Sequence, residues 1–167
     1  IAVFDEHEAN FGQGGKDYPA RSYVTHLECG LTGEHYAAGA LHGLSRVGRP
    51  LLVRYDLAAL RGTLTRETLA TRPAELWKWL PLRDFGNRID LGEVATPILP
   101  LPRTAARLGA RTLLVKDEGR LPTGSFKARG LAVALSMAKE LGVTKIAMPS
   151  NGNAGAAAAA YAAAAGI

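Results

Sequence analysis

Leu121-Pro-Thr-Gly-Ser-Phe-Lys-Ala-Arg-Gly130 reads as a loop that empties into a helix, with Lys127 in the first turn of that helix. An apolar run, Thr112 to Asp117, precedes it, and Leu131, Leu135, Ala138 and Leu141 follow at helical spacing on one face. The order is strand, loop, helix. In an open α/β sheet ligands bind at the carboxyl ends of the strands, so this order puts Lys127 at the mouth of a site.

A helix N-terminus is the positive end of the macrodipole and disfavours an ammonium by about 0.3–1 kcal/mol, and desolvation adds to this. A lysine held neutral there is a nucleophile whose natural chemistry is an imine with a carbonyl. Two other readings compete. Gly119 and Gly124 have the spacing of a Walker loop, but that motif places lysine directly after its second glycine, and here Ser125 and Phe126 intervene, so a nucleotide loop is rejected. The plain alternative is a surface lysine in a first turn, with Thr123 or Ser125 as N-cap.

A second loop of similar build shifts the balance towards a site. Met148-Pro-Ser-Asn-Gly-Asn-Ala-Gly155 follows the short apolar run Lys145 to Met148 and again opens a helix, Ala154 to Ala165. The two units are about thirty residues apart, the length of a βαβ unit, so one parallel sheet should carry both loops on the same edge, facing one site. Exposed amides at Gly152 and Gly155, with Ser150, Asn151 and Asn153, would form an anion and hydroxyl cradle opposite the lysine. The closing helix is nearly pure alanine and should lie close to the sheet in a packing role, with Gly166 as its C-cap.

Upstream, Pro50 to Asp56 reads as a buried strand, and Thr65 to Leu80 as a helix stopped before Pro81, with Leu69, Leu76 and Leu80 in the core. Leu91 to Leu99 reads as an extended stretch and Arg103 to Leu108 as a short helix. His26-Leu-Glu-Cys-Gly-Leu-Thr-Gly-Glu-His35 looks like a zinc knuckle whose second cysteine has become Thr32. Cys29, His26, His35 and His42 do not have the usual ligand spacings, so no metal is expected and Cys29 is read as a buried thiol in a turn.

With 167 residues, 47% of them hydrophobic, the chain can bury one core. Its 20 basic and 15 acidic residues leave a formal charge of +5, but the basic groups are scattered singly, which argues against nucleic acid and for a small anionic ligand. The single cysteine excludes an internal disulfide and points to the cytoplasm. No apolar run reaches the roughly 18 residues of a membrane span. Ile1 to Phe11 holds Asp5, Glu6 and Glu8 without the positive flank and apolar centre of a signal peptide, and the chain is expected to come from a longer protein.

The string from Lys116 through Lys127 to Gly130, followed by Ser150-Asn-Gly-Asn-Ala-Gly155, resembles the fold-type-II pyridoxal phosphate enzyme family. Within it the chain is most similar to the threonine synthase branch, through Gly92-Glu-x-x-Thr-Pro-Ile98 and Leu27-Glu-Cys…Thr-Gly33. The resemblance implies the tryptophan synthase beta-like fold, an α/β architecture with an open, mostly parallel twisted sheet and flanking helices, incomplete in this chain. Residues 1–90 would be an amino-terminal region packing on the catalytic fold, and residues 91–167 the first part of the cofactor-binding fold.

The implied cofactor is pyridoxal 5'-phosphate, with Lys127 as catalytic lysine and imine partner, Phe126 packing on the cofactor ring and Asn153 bonding its 3-hydroxyl. Ser150, Asn151, Gly152 and Ala154 would receive the substrate carboxylate, while Thr123, Ser125 and Arg129 are read as structural. Val94 stands where the family usually has glycine, which puts the conformation of that loop in question. The implied reaction turns O-phospho-L-homoserine and water into L-threonine and phosphate. A sister enzyme, such as a serine/threonine dehydratase or cysteine synthase, and a non-catalytic fragment stay open, as does a homo-oligomer. The family's cofactor-phosphate loop and pyridine-nitrogen partner would lie after residue 167, so these residues alone are expected to be inactive.

Overall fold

A computed structural model describes residues 2–3, 22–80, 87–150 and 152–167. The acidic segment 4–11, the expected helix stop at Pro81 and the candidate ligand Asn151 lie outside the described residues.

Strand β1 (Ala2–Val3) is followed by β2 (Val24–Cys29), β3 (His35–Tyr36) and β4 (Leu51–Tyr55), then helices α1 (Leu57–Thr63) and α2 (Arg66–Thr71). Next come β5 (Ile98–Pro100), α3 (Pro102–Arg107), β6 (Leu114–Lys116), α4 (Lys127–Glu140), β7 (Ile146–Ala147) and α5 (Asn153–Ala165). Local chemistry sets most helix ends. Asp56 Oδ1 accepts from the amide of Ala59 at 2.9 Å, Thr65 and Thr68 form a reciprocal capping box, and Pro102 starts α3 at a position where its missing N–H costs nothing. Gly166 ends α5 in the left-handed region at φ 77°, as expected.

The expected helix from Thr65 to Leu80 is two pieces. Proline disfavours helical backbone in the residue before it, and Arg72, before Pro73, turns extended at ψ 146°. A short 3₁₀ turn, Leu76–Trp79, takes up the rest. The expected buried strand at 50–56 is also corrected: β4 forms, but Leu52, Val53 and Tyr55 are exposed, because β4 is the outer strand of the sheet β3-β2-β4.

The mixed α/β character holds, while the pairing of the two key strands differs from a parallel ladder. β6 pairs antiparallel with β5, and β7 antiparallel with β1; all ladders among the described residues are antiparallel. Strands joined by a helical crossover need not be neighbours, and others can stand between them.

Helices α4 and α5 make the core. Ala128, Leu131, Ala132 and Leu135 of α4 bury against Ala157, Ala158, Tyr161, Ala162 and Ala165 of α5, and Leu76, Trp77, Ile89 and Leu121 close the cluster. The alanine helix therefore finds its close partner in another helix, with alanine methyl groups lining much of the contact beside Leu131, Leu135 and Tyr161. Ala138 and Leu141 are half-buried, as is Leu69 of α2.

Candidate functional site

The lysine loop is fixed at its start by Leu121, which is buried in the core, and turns at Gly124, whose amide donates to Leu121 O at 2.8 Å. Gly124 has φ 68°, a conformation that any side chain would strain. Neither Thr123 nor Ser125 caps α4. The cap position is Phe126, which has no group to offer, and the hydroxyls of Thr123 and Ser125 are buried without a hydrogen-bond partner among the described residues. Lys127 is the first residue of α4 and half-buried, its Nζ 4.6 Å from the centre of the Phe126 ring. Phe126 is 59% exposed, with the Lys127 amine over one face of its ring.

The asparagine loop is organised by Ser150. Its Oγ accepts from the amide of Gly155 at 2.8 Å and from that of Gly152 at 3.2 Å, doing the work of a helix cap from two residues upstream. A Cβ on Gly155 would stand 3.1 Å from Ser150 Cβ, so this closeness depends on glycine. Asn153 is the first residue of α5 and is exposed; Ala154 is half-buried. The first amides of a helix have no carbonyl of their own helix to bond, which leaves those of Asn153 and Ala154 open to an anion. Since α4 and α5 pack as one unit, Lys127 and Asn153 start two helices of the same body.

Two polar fastenings that the sequence did not disclose hold the stretch 90–97 against these helices. Arg129 of α4 grips Glu118 bidentately, with Nη2 2.9 Å from Oε1, and reaches Thr96 Oγ1 at 3.3 Å; Thr96 itself donates to Glu118 at 2.5 Å. Lys116 Nζ donates to Thr96 O at 3.2 Å. The second fastening is Tyr161 of α5, fully buried, which donates to the buried Glu93. Burial pushes the Glu93 carboxyl above the usual carboxylate range, and burial likewise raises the Tyr161 hydroxyl. Arg129 thus acts as the structural residue it was taken for. Val94 is exposed and forms a bridge with Glu75, and no non-glycine residue described has positive φ, so position 94 makes no demand for glycine.

The Arg129 hydrogen bond holds the Glu118 carboxyl at about 2. An unfolded glutamate titrates near 4.3, so the folded state prefers the ionised form, and this stabilisation is present above about pH 4.3 and lost as pH falls towards 2. We expect the difference in denaturation midpoint between wild type and Glu118→Gln to shrink steadily over that window; a gap unchanged with pH would refute the assignment.

In the knuckle-like stretch Cys29 is 1% exposed, and hydrogen bonding by Ser45 and Thr32 holds its thiol at about 7. His42 Nε2 donates to Ala37 O at 2.8 Å. The groups that gather instead are His26, Glu28 and His35.

Residues 89–167 match the family described as pyridoxal-phosphate dependent enzyme. Its cofactor is pyridoxal phosphate. Over 143 residues the chain is 34% identical to the threonine synthase of Methanocaldococcus jannaschii, covering 84% of this chain and 35% of that protein. It is 36% identical over 144 residues to the threonine synthase of Methanosarcina acetivorans, and 46% identical over 90 residues to that of a Synechocystis species. The chain spans about a third of the length of the first two relatives, 35% of each. No helix among the described residues is long and apolar enough to cross a membrane.

The residues present fit the cofactor. An amine at a helix start, an exposed aromatic ring, two orphaned buried hydroxyls and the free amides of a second helix start suit a planar ligand with a carbonyl and acidic oxygens.

Proposed function

We propose that the protein containing this chain converts O-phospho-L-homoserine and water into L-threonine and phosphate. The observation that carries this is the similarity to threonine synthases along 84% of the chain, together with the family match over residues 89–167, which includes both helix-opening loops. In this reading Lys127, Phe126 and Asn153 hold the cofactor, by its carbonyl, ring face and 3-hydroxyl. Pyridoxal phosphate supplies a carbonyl for amines and a ring that accepts carbanion charge. Lys127 Nζ is the base that removes the proton at the substrate Cα and moves protons at Cβ. The loop of Ser150, Asn151, Gly152 and Ala154 orients the substrate carboxylate, with Ser150 shaping the loop and the amides presenting donors.

The core shared by Leu76, Trp77 and Ile89 with α4 and α5 supports an amino-terminal region, residues 1–90, that packs on the catalytic fold of 91–167. The exposed apolar side chains of β5 and β6, Ile98, Leu99, Leu114 and Val115, support a sheet that continues in further chain, so residues 1–167 alone are expected to release no phosphate.

Product analysis of the full-length protein decides among the readings. Threonine with phosphate is the expected result; a ketoacid with ammonia would identify a dehydratase instead. Asn153→Ala should leave the cofactor bound but shift its visible absorption and slow turnover up to about tenfold, because one hydrogen bond contributes about 0.5–1.5 kcal/mol. An unaltered spectrum would rule out its contact with the ring.

A further inference from the structure

Side chains alternate along a strand, so His26 and Glu28 lie on one face of β2, and the register sets His35 of β3 opposite Glu28. Glu28 Oε2 is 3.8 Å from His26 Nε2 and 3.8 Å from His35 Nε2, and the three ligand atoms lie within 4.8 Å of one another. The neighbours fix which lone pairs face inward. The Thr25 hydroxyl donates its one hydrogen to Arg54 O at 3.2 Å and must therefore accept from His26 Nδ1 at 2.9 Å. In the neutral imidazole the proton of His26 is then on Nδ1, and Nε2 offers its lone pair. That atom is buried and has no hydrogen-bond partner among the described residues. Arg54 takes the other oxygen of Glu28, Oε1, at 2.5 Å, which leaves Oε2 as the free one. Two acceptors thus face each other at a distance too long for a hydrogen bond, with a third imidazole nitrogen beside them.

We propose that His26, Glu28 and His35 bind one divalent transition-metal ion, zinc by the character of the donors, with solvent in the fourth position. Two imidazoles and a carboxylate with one open position are a known zinc donor set. Ligands about 2.0–2.2 Å from a tetrahedral ion stand about 3.3–3.6 Å apart, so the Glu28 pairs at 3.8 Å need to close by a few tenths of an ångström, and the His35 ring, stacked on that of His26 with centroids 3.9 Å apart and a 34° tilt, must also rotate to aim its lone pair at the ion. His35 is the exposed member, 64% by side chain, and can make that adjustment. Thr25 positions His26 by holding its Nδ1–H, the usual outer support of a ligating histidine. Cys29 takes no part: its thiol is engaged by Ser45 and Thr32. The site is therefore distinct both from the lysine loop and from the cysteine-centred knuckle that the stretch resembles.

The test uses the full-length protein, stripped of metal with a chelator and equilibrated with Zn²⁺. One zinc equivalent should disappear in His26→Ala and in Glu28→Gln, and persist in His42→Ala, Cys29→Ser and Lys127→Ala. Thr25→Val, which removes only the outer support, should weaken zinc binding by about 10–100-fold. Because a substitution in β2 can unsettle the sheet, Co²⁺ added to the unaltered protein gives an independent reading: the imidazole proton resonances of His26 and His35 should broaden and those of His42 should not. The proposal fails if the unaltered protein retains no zinc, if Glu28→Gln retains the same equivalent, if Cys29→Ser loses it, or if Co²⁺ leaves His26 and His35 unchanged.

Discussion

Replacing Lys127 with alanine in the full-length enzyme is expected to lower turnover by about 10²–10⁴-fold or more, since the positioned base alone is worth that much and the covalent hold on the cofactor goes with it. Arginine should not rescue it, because a guanidinium does not form imines. Two of the other lysines are poorly placed: Lys116 is bound to Thr96 O and lies beside Glu118, and Lys139 is in the last turn of α4, at the opposite end from the loop. Borohydride reduction of the cofactor-loaded enzyme, followed by peptide mass analysis, should place the cofactor's mass on Lys127. An adduct on another lysine would overturn the assignment.

The largest expected loss of stability is at Tyr161. It is fully buried between α4 and α5, and truncation to alanine should cost about 3–5 kcal/mol, as for other large aromatic side chains in cores. Tyr161→Phe keeps the ring and removes one donor to Glu93 Oε1, leaving that oxygen the longer bond from the Leu91 amide at 3.4 Å, at a cost of about 0.5–1.5 kcal/mol. Chemical denaturation of the full-length protein measures both. If Tyr161→Phe proved neutral, the bond to Glu93 would have no part in holding stretch 90–97 in place.

What the sequence disclosed was local chemistry. The loops before α4 and α5, the place of Lys127 in the first turn of α4 and the glycine stop of α5 all follow from side chains acting on their own neighbourhood. The failures have physical causes. Pro73 breaks the segment 65–80 from within, while the reading looked for a stop at Pro81. β4 is apolar enough to be central and turns out to be an outer strand, which its composition alone does not reveal. The hydroxyls of Thr123 and Ser125, offered as caps by the plain surface-lysine reading, cap nothing, since the cap position falls on Phe126. Tyr161 meets Glu93 across 68 positions and Arg129 meets Thr96 across 33, separations at which no spacing rule applies. The His26, Glu28, His35 group needed strand register, since its third member comes from the opposite strand.

The methyl-lined seam between α4 and α5 has one more consequence. Alanine has no rotamers, so Ala128, Ala132, Ala157, Ala158 and Ala162 cannot turn aside to absorb an error, as leucine or methionine would. A single added methylene at Ala157 or Ala158 would therefore be answered by movement of a whole helix, and with it of Lys127 or Asn153. The aim of those two side chains is thus calibrated tens of atoms away, by groups with no chemistry of their own. In the proposed function, directed changes that spare every polar residue but enlarge one alanine of the seam should lower turnover while leaving Lys127 intact.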